Sequence, residues 1–387
     1  MKFIHLGDLH IGKRVNDFSM IKDQEYILNQ IIDIANVNKV DAIFIAGDVY
    51  DKAVPAAEAV TLFDDFLTRL ANLNIEVYII SGNHDSAERL AFAGSLIQKA
   101  GVYVAPVFNG EVTNHTYIDE YGEVCIYMLP FIKPIHVKKY CCNDDVDNDN
   151  EEDNNDIVSY NAAYKIVMNK INLDTTKRNI ILAHQFVTGA VTCDSEELAL
   201  GGMDNISVDN FEGFDYVALG HIHSPQKIIK DTIRYSGTPL KYSLSEINHN
   251  KTVTIVEIKQ KDNIDIQQIS LEPLHDMRHI KGTYEEVTFR DNYKDTDTDD
   301  YVYITLTDED DIPDAVSRLR AIYPNIMKLD YDNIRTRGNN EIEATSSVEE
   351  KTPMELFSML YKMQNNQDMT QKQEEFLSEL IESIWED

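Results

Sequence analysis

Short apolar runs alternate with helix-like segments over the first hundred residues, and this alternation restricts the fold more than any other feature of the sequence. The apolar runs are KFIHL, DAIFIA and EVYIIS. Apolar residues elsewhere recur every three or four positions, which predicts helices at Ile21–Asn38, Ala56–Asn72 and Ala87–Ala100. Such alternation is typical of β-α-β units, in which parallel strands form a sheet buried on both faces. The sequence therefore predicts an α/β fold.

The remaining residues are predicted to extend this fold and then to form smaller units. Further apolar strands are predicted at VCIYML, NIILAH, DYVALGH, TIRYSG, TVTIVEI and IDIQQIS. Residues 1–272 are therefore expected to form one α/β unit. Two strands, TYEEVTF and YVYITL, with a helix near Ile312–Ile322, predict a small α+β unit over residues 273–340. A polar segment at 341–351 is predicted to be a linker.

Residues 352–387 carry two helix-start signals, each followed by an apolar stripe. Thr352 with Glu355, and Thr370 with Gln373, have the spacing of a capping box. The apolar positions that fall on one face of each helix are Leu356, Phe357, Leu360, Met363, Phe376, Leu377, Leu380, Ile381 and Ile384. The pattern predicts a helical hairpin whose stripe either packs on its own protein or docks on another. Its position after a polar linker favours docking.

The net charge of −32 is concentrated in three segments. Residues 143–156 carry −8, residues 285–314 carry −10 and residues 341–387 carry −9, which leaves −5 for the other 296 residues. The total alone argues against a nucleic-acid partner, but the distribution removes that objection for most of the chain. The run at 143–156 is predicted to be a disordered insertion because it is simple in composition and self-repelling. A calcium loop is the alternative, although the turn glycine and last glutamate of an EF-hand are absent.

Several classes of protein are disfavoured by what the sequence lacks. No run reaches the roughly 18 apolar residues of a membrane span, and the first residues lack the pattern of a secretion signal. The four cysteines show no CxxC spacing. These features predict a soluble, cytoplasmic protein with reduced thiols and no membrane partner. Neither a GxSxG elbow nor a Walker A loop is present, which disfavours serine hydrolase and P-loop ATPase chemistry.

Five short motifs rich in Asp, His and Asn stand where predicted strands end. They are Asp8-Leu9-His10, GDVYD at 47–51, GNHD at 82–85, His184, and GHIH at 220–223. The carboxyl ends of strands form the ligand crevice of α/β sheets, so all five can converge at one place. Each motif alone is a weak signal, because a histidine at a strand end is usually an ordinary polar residue. Together they supply the ligand set of a two-metal centre.

The residue types in these motifs suit two divalent cations. Cations about 3.5–4 Å apart need a bridging carboxylate, and imidazole suits manganese, iron or zinc better than magnesium or calcium. Glycines beside the ligands, at positions 47, 82 and 220, allow tight turns at the strand tips. Such a metal pair polarises a phosphoryl group and activates water for in-line displacement. The predicted reaction is therefore phosphoester hydrolysis.

The five motifs match the pattern DxH, GDxxD, GNHD, H and GHxH, so the chain resembles the calcineurin-like metallophosphoesterases. This resemblance implies a four-layer α/β/β/α sandwich and two divalent metal ions, which are expected to be manganese. The residues that it implies for the first metal are Asp8, His10 and His223. Those that it implies for the second are Asn83, His184 and His221, with Asp48 bridging both.

The resemblance also implies roles for residues beside the ligands. His84 would contact the phosphate and protonate the leaving oxygen, and Asp85 would orient His84. Asp51 and His5 are expected to give structural support rather than to bind metal. Lys13 and the arginine after it either contact DNA phosphates or form a solvated pair.

Longer stretches of the sequence are similar to the nuclease subunits of bacterial SbcCD complexes. They are HIGKRVNDFSMIKDQ, AHQFVTGA, SEELALGGMD and YSGTPLKYSLSE. This narrower resemblance implies a 3′-to-5′ exonuclease on duplex ends and an endonuclease on hairpins and single strands, in DNA repair, recombination and replication. Residues 273–340 would cap DNA access, with a net-basic stretch at 315–340, and 352–387 would dock on an SbcC-type coiled-coil ATPase. The acidic run at 143–156 is not part of that pattern.

The family resemblance further implies a homodimer within a heterotetramer, associated with the nucleoid. Phe63, Phe66 and Leu67 then belong either to the core or to the dimer interface, and the core is preferred. A phosphatase or cyclic-nucleotide phosphodiesterase on the same metal core is the alternative enzyme. A non-catalytic scaffold is the alternative from another class, and the complete ligand set argues against it.

Overall fold

The computed structural model describes residues 1–141, 159–196, 204–334, 336, 354, 357–358, 360–361 and 369–385. The chain divides into two compact units, Met1–Leu274 and His275–Asp387. The acidic insertion at 143–156 and the linker at 341–351, both predicted from the sequence, lie outside the described residues. Among the helices that are described, none is long and apolar enough to span a bilayer.

Strands dominate the first unit. In chain order they are β1 (Lys2–Leu6), β2 (Arg14–Val15), β3 (Phe18–Ser19), β4 (Ala42–Ala46), β5 (Glu76–Ile80), β6 (Val102–Val104), β7 (Thr113–Asp119), β8 (Gly122–Leu129), β9 (Arg178–His184), β10 (Phe186–Val187), β11 (Asn205–Ile206), β12 (Tyr216–Gly220), β13 (Gln226–Ile228), β14 (Lys230–Tyr235), β15 (Thr252–Ile258) and β16 (Ile264–Ser270). The α-helices are α1 (Ile21–Asn38), α2 (Ala57–Asn72), α3 (Ala87–Leu90), α4 (Gly94–Ile97), α5 (Pro134–Cys141) and α6 (Tyr160–Asn169).

Two six-stranded sheets form the centre of this unit. The first sheet has the order β16-β15-β1-β4-β5-β6, and the second has the order β13-β14-β12-β9-β8-β7. In the first sheet β1, β4, β5 and β6 run parallel, and in the second β8, β9, β12 and β14 run parallel. The strands β15, β16, β13 and β7 pair antiparallel with their neighbours. The carboxyl ends of β1, β4 and β5 therefore share one edge of the first sheet, as do those of β9 and β12 in the second.

Apolar side chains from both sheets fill the space between them. Phe3 stacks on Phe44 with ring centroids 4.2 Å apart and meets Tyr216 of the second sheet edge-on at 5.4 Å. Tyr78 joins the same cluster with Ile126 and other residues of the second sheet. Burial of this many aromatic and β-branched side chains stabilises the sandwich at about 25 cal/mol per Å² of apolar surface removed from water. The two sheets therefore form one core.

Helices cover the outer faces of the two sheets. Val137 of α5 and Tyr164 and Val167 of α6 pack on the second sheet, and all three are buried. Helices α1 and α2 pack on each other, and α2 also lies against β5. The arrangement confirms the predicted four-layer α/β/β/α sandwich. Phe63 and Phe66 of α2 are 4 % and 1 % exposed, as expected for core residues.

The long helix predicted at Ala87–Ala100 is wrong. The segment contains the short helices α3 and α4, followed by a 3-10 turn at Gln98–Ala100. Ala93 adopts a left-handed backbone conformation, with φ of 60°, just before α4 begins. A residue in this conformation ends a right-handed helix. The helical period of the sequence did not reveal this break.

The second unit contains a sheet of three parallel strands. These strands are β17 (Met277–Gly282), β18 (Tyr301–Leu306) and β19 (Ile326–Tyr331), in that order. The helices are α7 (Tyr284–Thr288), α8 (Arg290–Tyr293), α9 (Ala315–Arg320) and α10 (Gln371–Trp385). Val302, Ile304 and Leu306 pack against Val287 and Leu319 in a small core. The predicted strand YVYITL is β18.

The prediction that TYEEVTF forms a strand is wrong, because these residues form α7. Thr283 accepts a hydrogen bond from the backbone N–H of Glu286, and the Glu286 side chain accepts one from the backbone N–H of Thr283. This reciprocal capping box stabilises a helix start and outweighs the β-propensity of the Thr, Tyr and Val residues. The sequence contains the T-x-x-E signal at this position.

Most of the described residues in the predicted C-terminal hairpin are helical. Residues 354, 357–358 and 360–361 belong to a helical segment, and Gln371–Trp385 forms α10. The backbone N–H of Thr370 donates to Oε1 of Gln373 at 2.8 Å, and Nε2 of Gln373 donates to the hydroxyl of Tyr361 at 2.8 Å. The second contact joins the two segments. The predicted cap at Thr352 lies outside the described residues.

Candidate metal centre

The first unit brings all five sequence motifs together. Asp8 and His10 follow β1, Asp48 follows β4 and Asn83 follows β5, so the first sheet supplies four candidate ligands. The second sheet supplies the remaining three, which are His184, His221 and His223. The six Asp and His ligands are between 0 and 6 % exposed. The strand ends therefore form one buried polar site between the two sheets.

One group of donor atoms comes from Asp8, His10 and His223. Their candidate ligand atoms lie within 4.8 Å of one another. The Nε2 atoms of His10 and His223 are 3.3 Å apart. Both oxygens of Asp8 accept hydrogen bonds from the backbone N–H of His221, at 2.8 and 3.1 Å, which fixes the carboxylate in the site.

A second group is centred on the amide oxygen of Asn83. This atom is 3.0 Å from Nε2 of His184 and 3.0 Å from Nδ1 of His221. Asp48 lies between the two groups, because its Oδ2 is 3.4 Å from Nε2 of His184 and 3.8 Å from Nε2 of His10. Its other oxygen accepts the backbone N–H of His84 at 2.9 Å. Asp48 therefore lies within reach of both groups of donor atoms.

The hydrogen bonds of His184 determine which of its nitrogens faces the site as a lone pair. Nδ1 lies 2.7 Å from the carbonyl oxygen of Ala46. A carbonyl oxygen can only accept, so Nδ1 carries the proton and Nε2 of the neutral ring presents a lone pair. The backbone of the first sheet therefore prepares His184 to bind a metal through Nε2.

A chain of hydrogen bonds prepares His223 in the same way. The hydroxyl of Ser195 donates to Oε1 of Glu246 at 2.5 Å and accepts from Nδ1 of His223 at 2.8 Å. Glu246 is fully buried, and it also contacts Nζ of Lys251 at 2.5 Å. With Nδ1 protonated, Nε2 of His223 turns a lone pair toward His10. Sequence reasoning assigned no role to Ser195 or Glu246, although both lie in the long stretches that resemble known nucleases.

The turn that carries Asp8 and His10 is held by two further residues that sequence reasoning missed. Nε2 of Gln24 donates to the carbonyl of His10 at 2.7 Å, and Oε1 of Gln24 accepts from the backbone N–H of Gly12 at 2.9 Å. The hydroxyl of Tyr242 donates to the carbonyl of Leu9 at 2.7 Å. These contacts pair buried backbone N–H and C=O groups, which would lower the stability of the fold if they lacked a hydrogen bond.

Four of the candidate ligands have left-handed backbone conformations. The φ angles of Asp8, His10, Asp48 and His221 are 54°, 44°, 50° and 103°. In residues other than glycine, each such conformation costs about 1–3 kcal/mol of conformational free energy. Residues of this kind are concentrated at functional sites. These backbone conformations direct side chains of different strand-end loops into one site.

Two glycines of the motifs lie where other parts of the chain approach closely: Gly220 meets the first sheet, and Gly82 meets the neighbouring loop after β4. A Cβ atom at Gly220 would lie 1.9 Å from the carbonyl oxygen of Ala46, and one at Gly82 would lie 2.1 Å from Oδ1 of Asp48. No side chain fits at such distances.

His84 and Asp85 lie at the edge of the ligand group. Nδ1 of His84 is 3.1 Å from the carbonyl oxygen of Asp51, and its ring centroid is 4.8 Å from that of His10. The carboxylate of Asp85 accepts three backbone N–H groups, from Val49, Tyr50 and Gly82, at 3.0–3.1 Å. Asp85 therefore fastens the loop after β4 to the turn that carries His84.

His5 and Asp51 have contacts that suit structural support. His5 is fully buried, with Nδ1 3.0 Å from the hydroxyl of Tyr216 and Nε2 3.1 Å from the carbonyl of Leu219. It therefore links the two sheets below the site. The carboxylate of Asp51 pairs with Nζ of Lys13 at 2.8 Å.

Burial and mutual charge alter the pKa values of the candidate ligands. Burial raises the pKa of Asp8 to about 7. Burial disfavours the charged form of His184, but the Asp48 carboxylate outweighs it and raises the pKa of His184 to about 9. Burial lowers the pKa of His221 to about 3. A metal binds the deprotonated ligands, so metal affinity is expected to fall as pH decreases.

The donor set fits two divalent transition metals. It combines carboxylate and amide oxygens with several imidazole nitrogens. In their neutral forms the His184 and His223 rings keep the proton on Nδ1 and direct the Nε2 lone pair into the site. Nδ1 of His10 is also buried and has no hydrogen-bond partner among the described residues. A cation would neutralise the buried carboxylates and accept the lone pairs.

Comparisons with known proteins identify the family of the chain. Residues 1–225 match the family model of the calcineurin-like phosphoesterases. Residues 273–365 match a model described as the type 5 capsule protein repressor C-terminal domain. The D subunit of the SbcCD nuclease from Staphylococcus epidermidis is 30 % identical over 391 aligned positions, which cover 99 % of each chain.

Two solved structures are more distant. A dimetal phosphatase from Danio rerio is 10 % identical, with a TM-score of 0.40, covering 71 % of this chain and 98 % of that one. The protein TT1561 of Thermus thermophilus is 11 % identical, with a TM-score of 0.36, covering 69 % of this chain and 98 % of that one.

The fold and the site define a metal-dependent phosphodiester hydrolase of the calcineurin-like phosphoesterase class. The similarity to one member of that class covers 99 % of the chain, and a family model also matches the C-terminal residues 273–365. The chain belongs to the family of SbcCD nuclease D subunits.

Proposed function

We propose that the chain is the DNA nuclease subunit of an ATP-dependent SbcCD complex. It would act as a 3′-to-5′ exonuclease on duplex ends and as an endonuclease on hairpins and single strands. One observation carries the hydrolytic part of the proposal: donor atoms from two sheets converge in one buried site. The full-length similarity to a named nuclease supports DNA as the substrate. The activity would serve DNA repair, recombination and replication in the cytoplasm, at the nucleoid.

Two manganese ions are the proposed cofactors. Asp8, His10 and His223 would hold one ion. Asn83, His184 and His221 would hold the other, with Asp48 shared by both. When bound, the pair would polarise the scissile phosphodiester and activate water for in-line attack.

His84 is the proposed proton donor to the leaving 3′ oxygen. Its Nδ1–H is directed at the carbonyl oxygen of Asp51, so Nε2 is the nitrogen that can carry the transferable proton. Its place beside His10, at the rim of the ligand group, suits contact with a phosphate. Asp85 would act on His84 through the loop that it fastens, since its carboxylate accepts backbone N–H groups.

Two other enzymes, a phosphatase and a cyclic-nucleotide phosphodiesterase, would use the same metal core. A non-catalytic scaffold would not need the metal ligands. Neither rival enzyme requires the second unit or an amphipathic hairpin. We expect the purified chain with manganese to cleave a labelled DNA hairpin as well as a small chromogenic phosphodiester. The measurement is product formation on a denaturing gel beside the absorbance assay. Hydrolysis of the small substrate without hairpin cleavage would contradict the nuclease proposal, and inactivity on both would support a scaffold.

The C-terminal hairpin is the proposed docking element for an SbcC-type coiled-coil ATPase. Phe357, Leu360, Phe376 and Leu380 are between 45 and 67 % exposed, whereas Leu377 is 6 % exposed. Several large apolar side chains exposed on one short hairpin are typical of an interaction surface. The chain would also form a homodimer within a heterotetramer, and the 273–340 unit would cap the path of the DNA.

Deleting residues 352–387 is expected to abolish co-purification with the ATPase partner, because the exposed apolar stripe is lost. Manganese-dependent hydrolysis of the small phosphodiester is expected to continue, since the first unit contains all the candidate ligands. The double variant Phe376→Ser/Leu380→Ser should behave like the deletion, and Lys372→Ser, an exposed change on the same helix, should behave like the parent. Retained co-purification by the deletion variant would refute docking through the hairpin.

A further inference from the structure

A pocket of about 430 Å³ opens beside the metal centre. Asn83 and Asp85 form part of its wall, so it adjoins the site through the motif that carries a candidate ligand. Its volume falls in the range of small-ligand sites, about 300–1,000 Å³. The five sequence motifs do not account for the opposite wall, which is built by Phe131 and α5.

Phe131 lines the pocket and also contacts two histidines of the second sheet. Its ring lies nearly parallel to that of His221, with centroids 6.4 Å apart, and perpendicular to that of His184 at 6.1 Å. The backbone N–H of Phe131 donates to the carbonyl of Ser81 at 2.8 Å, which ties this wall to the turn that precedes Asn83. An aromatic face held in place next to a phosphate-binding centre is a platform on which a base or sugar can stack.

Helix α5 gives the pocket a positive wall. Val137 anchors the helix in the core. His136 and Lys139 of the helix line the pocket, as does Lys133, which directly precedes it. Both lysines are exposed, and Nζ of Lys139 lies 4.7 Å from the ring centre of Tyr140. The segment 130–140 contains three lysines and no acid, in a chain whose net charge is −32.

Two acidic side chains, Asp85 and Glu88, also line the pocket. Glu88 is exposed and accepts a hydrogen bond from Ser86 at 3.0 Å. The Asp85 carboxylate is directed at three backbone N–H groups. Burial and the two neighbouring lysines lower the pKa of His136, so at neutral pH the positive charge of the wall comes from the lysines.

We propose that this pocket binds the nucleotide next to the scissile phosphate in a single-stranded segment of DNA. Phe131 would stack on its base or sugar, and Lys133 and Lys139 would each contact a backbone phosphate. The combination of a stacking face with a basic wall is the general means of holding single strands without sequence preference. The inference rests on the proposed nuclease function and names the part of the surface that would hold the strand.

The test is inhibition of the metal-loaded full chain by an oligothymidylate, with a small chromogenic phosphodiester as the reporter substrate. The inhibition constant is measured at several salt concentrations for the parent and for Lys133→Ala/Lys139→Ala. We expect the constant to rise roughly tenfold in the double variant, and the slope of its logarithm against log salt to fall by about 1.4, the value for two single-strand phosphates. The matched control, Lys165→Ala/Lys170→Ala, removes two exposed lysines at α6 outside this pocket and should behave like the parent.

The same experiment distinguishes failure of the proposed nuclease function from failure of the pocket assignment. An oligonucleotide that inhibits the parent without being cleaved would overturn the nuclease function and leave the pocket assignment intact. Equal inhibition constants and slopes in the parent and the Lys133→Ala/Lys139→Ala variant would overturn the pocket assignment, as would an equal loss in the Lys165→Ala/Lys170→Ala control.

Discussion

Replacing Asp48 with asparagine is expected to abolish metal-dependent hydrolysis, with a loss of at least about a thousandfold in kcat for the small phosphodiester. The change keeps the shape of the side chain, and asparagine tolerates the left-handed φ of 50° at this position. It also keeps an oxygen for the backbone N–H of His84. What it removes is the negative charge between the two groups of donor atoms, so the variant should fold but should hold fewer than two metal ions per chain.

The measurements are steady-state kinetics and the metal content of the purified protein by elemental analysis. The matched control is Asp265→Asn, which removes one carboxylate from an exposed position on β16 and should leave both readings unchanged. His184→Ala should lose activity in the same way, because its Nε2 faces both Asp48 and Asn83. Parental activity together with two bound metals in Asp48→Asn would rule out a bridging role.

Replacing Glu246 with alanine is expected to lower the free energy of unfolding of the first unit by about 3–5 kcal/mol, the usual effect of leaving a buried charge unpaired. Glu246 is fully buried, and its partner Lys251 is 5 % exposed. Burial lowers the pKa of Lys251, although Glu246 partly offsets that effect. Without the carboxylate, the Lys251 ammonium, Ser195 and the backbone N–H of Tyr242 each lose an acceptor.

The chain has two units, so the measurement is the urea midpoint of the transition in which the first unit unfolds. Glu257→Ala is the matched control: its carboxylate is 3.8 Å from Lys259, both side chains are at least a third exposed, and the expected loss is at most about 1 kcal/mol. Metal affinity should also fall about 10–100-fold in Glu246→Ala, because His223 loses the chain that fixes its tautomer. An unchanged urea midpoint in this variant would show that the buried pair does not stabilise the unit.

The ends of the strands and the motifs that follow them could be predicted because each has a local signal in the sequence. Apolar runs of five or six residues mark buried parallel strands, and polar residues directly after them can only lie at the carboxyl edge of a sheet. Helix α1 was predicted with its observed bounds, Ile21–Asn38, because its apolar residues keep the helical period throughout.

Other features could not be predicted from patterns of this kind. The break at Ala93 depends on one backbone angle at a residue that favours helices. Helix α7 was missed because β-propensity was weighed above a short capping signal. Ser195 and Glu246 reach His223 from 28 residues before and 23 residues after it, so only the folded chain brings them together.

The basic wall of the pocket likewise could not be predicted from the sequence. Its lysines count for little in a chain dominated by acidic residues, and only the packing of α5 places them beside the candidate ligand Asn83.

The division of the ligands between two sheets has a mechanical consequence. In the proposed assignment each metal is bound by residues of both sheets, so each ion would cross-link two layers that also meet through apolar contacts, hydrogen bonds and ion pairs. Binding to the folded state alone raises stability in proportion to the logarithm of metal concentration. Chelation should therefore loosen the edge of the sandwich where Gly220 meets Ala46, and the resistance of that edge to proteolysis should follow metal occupancy.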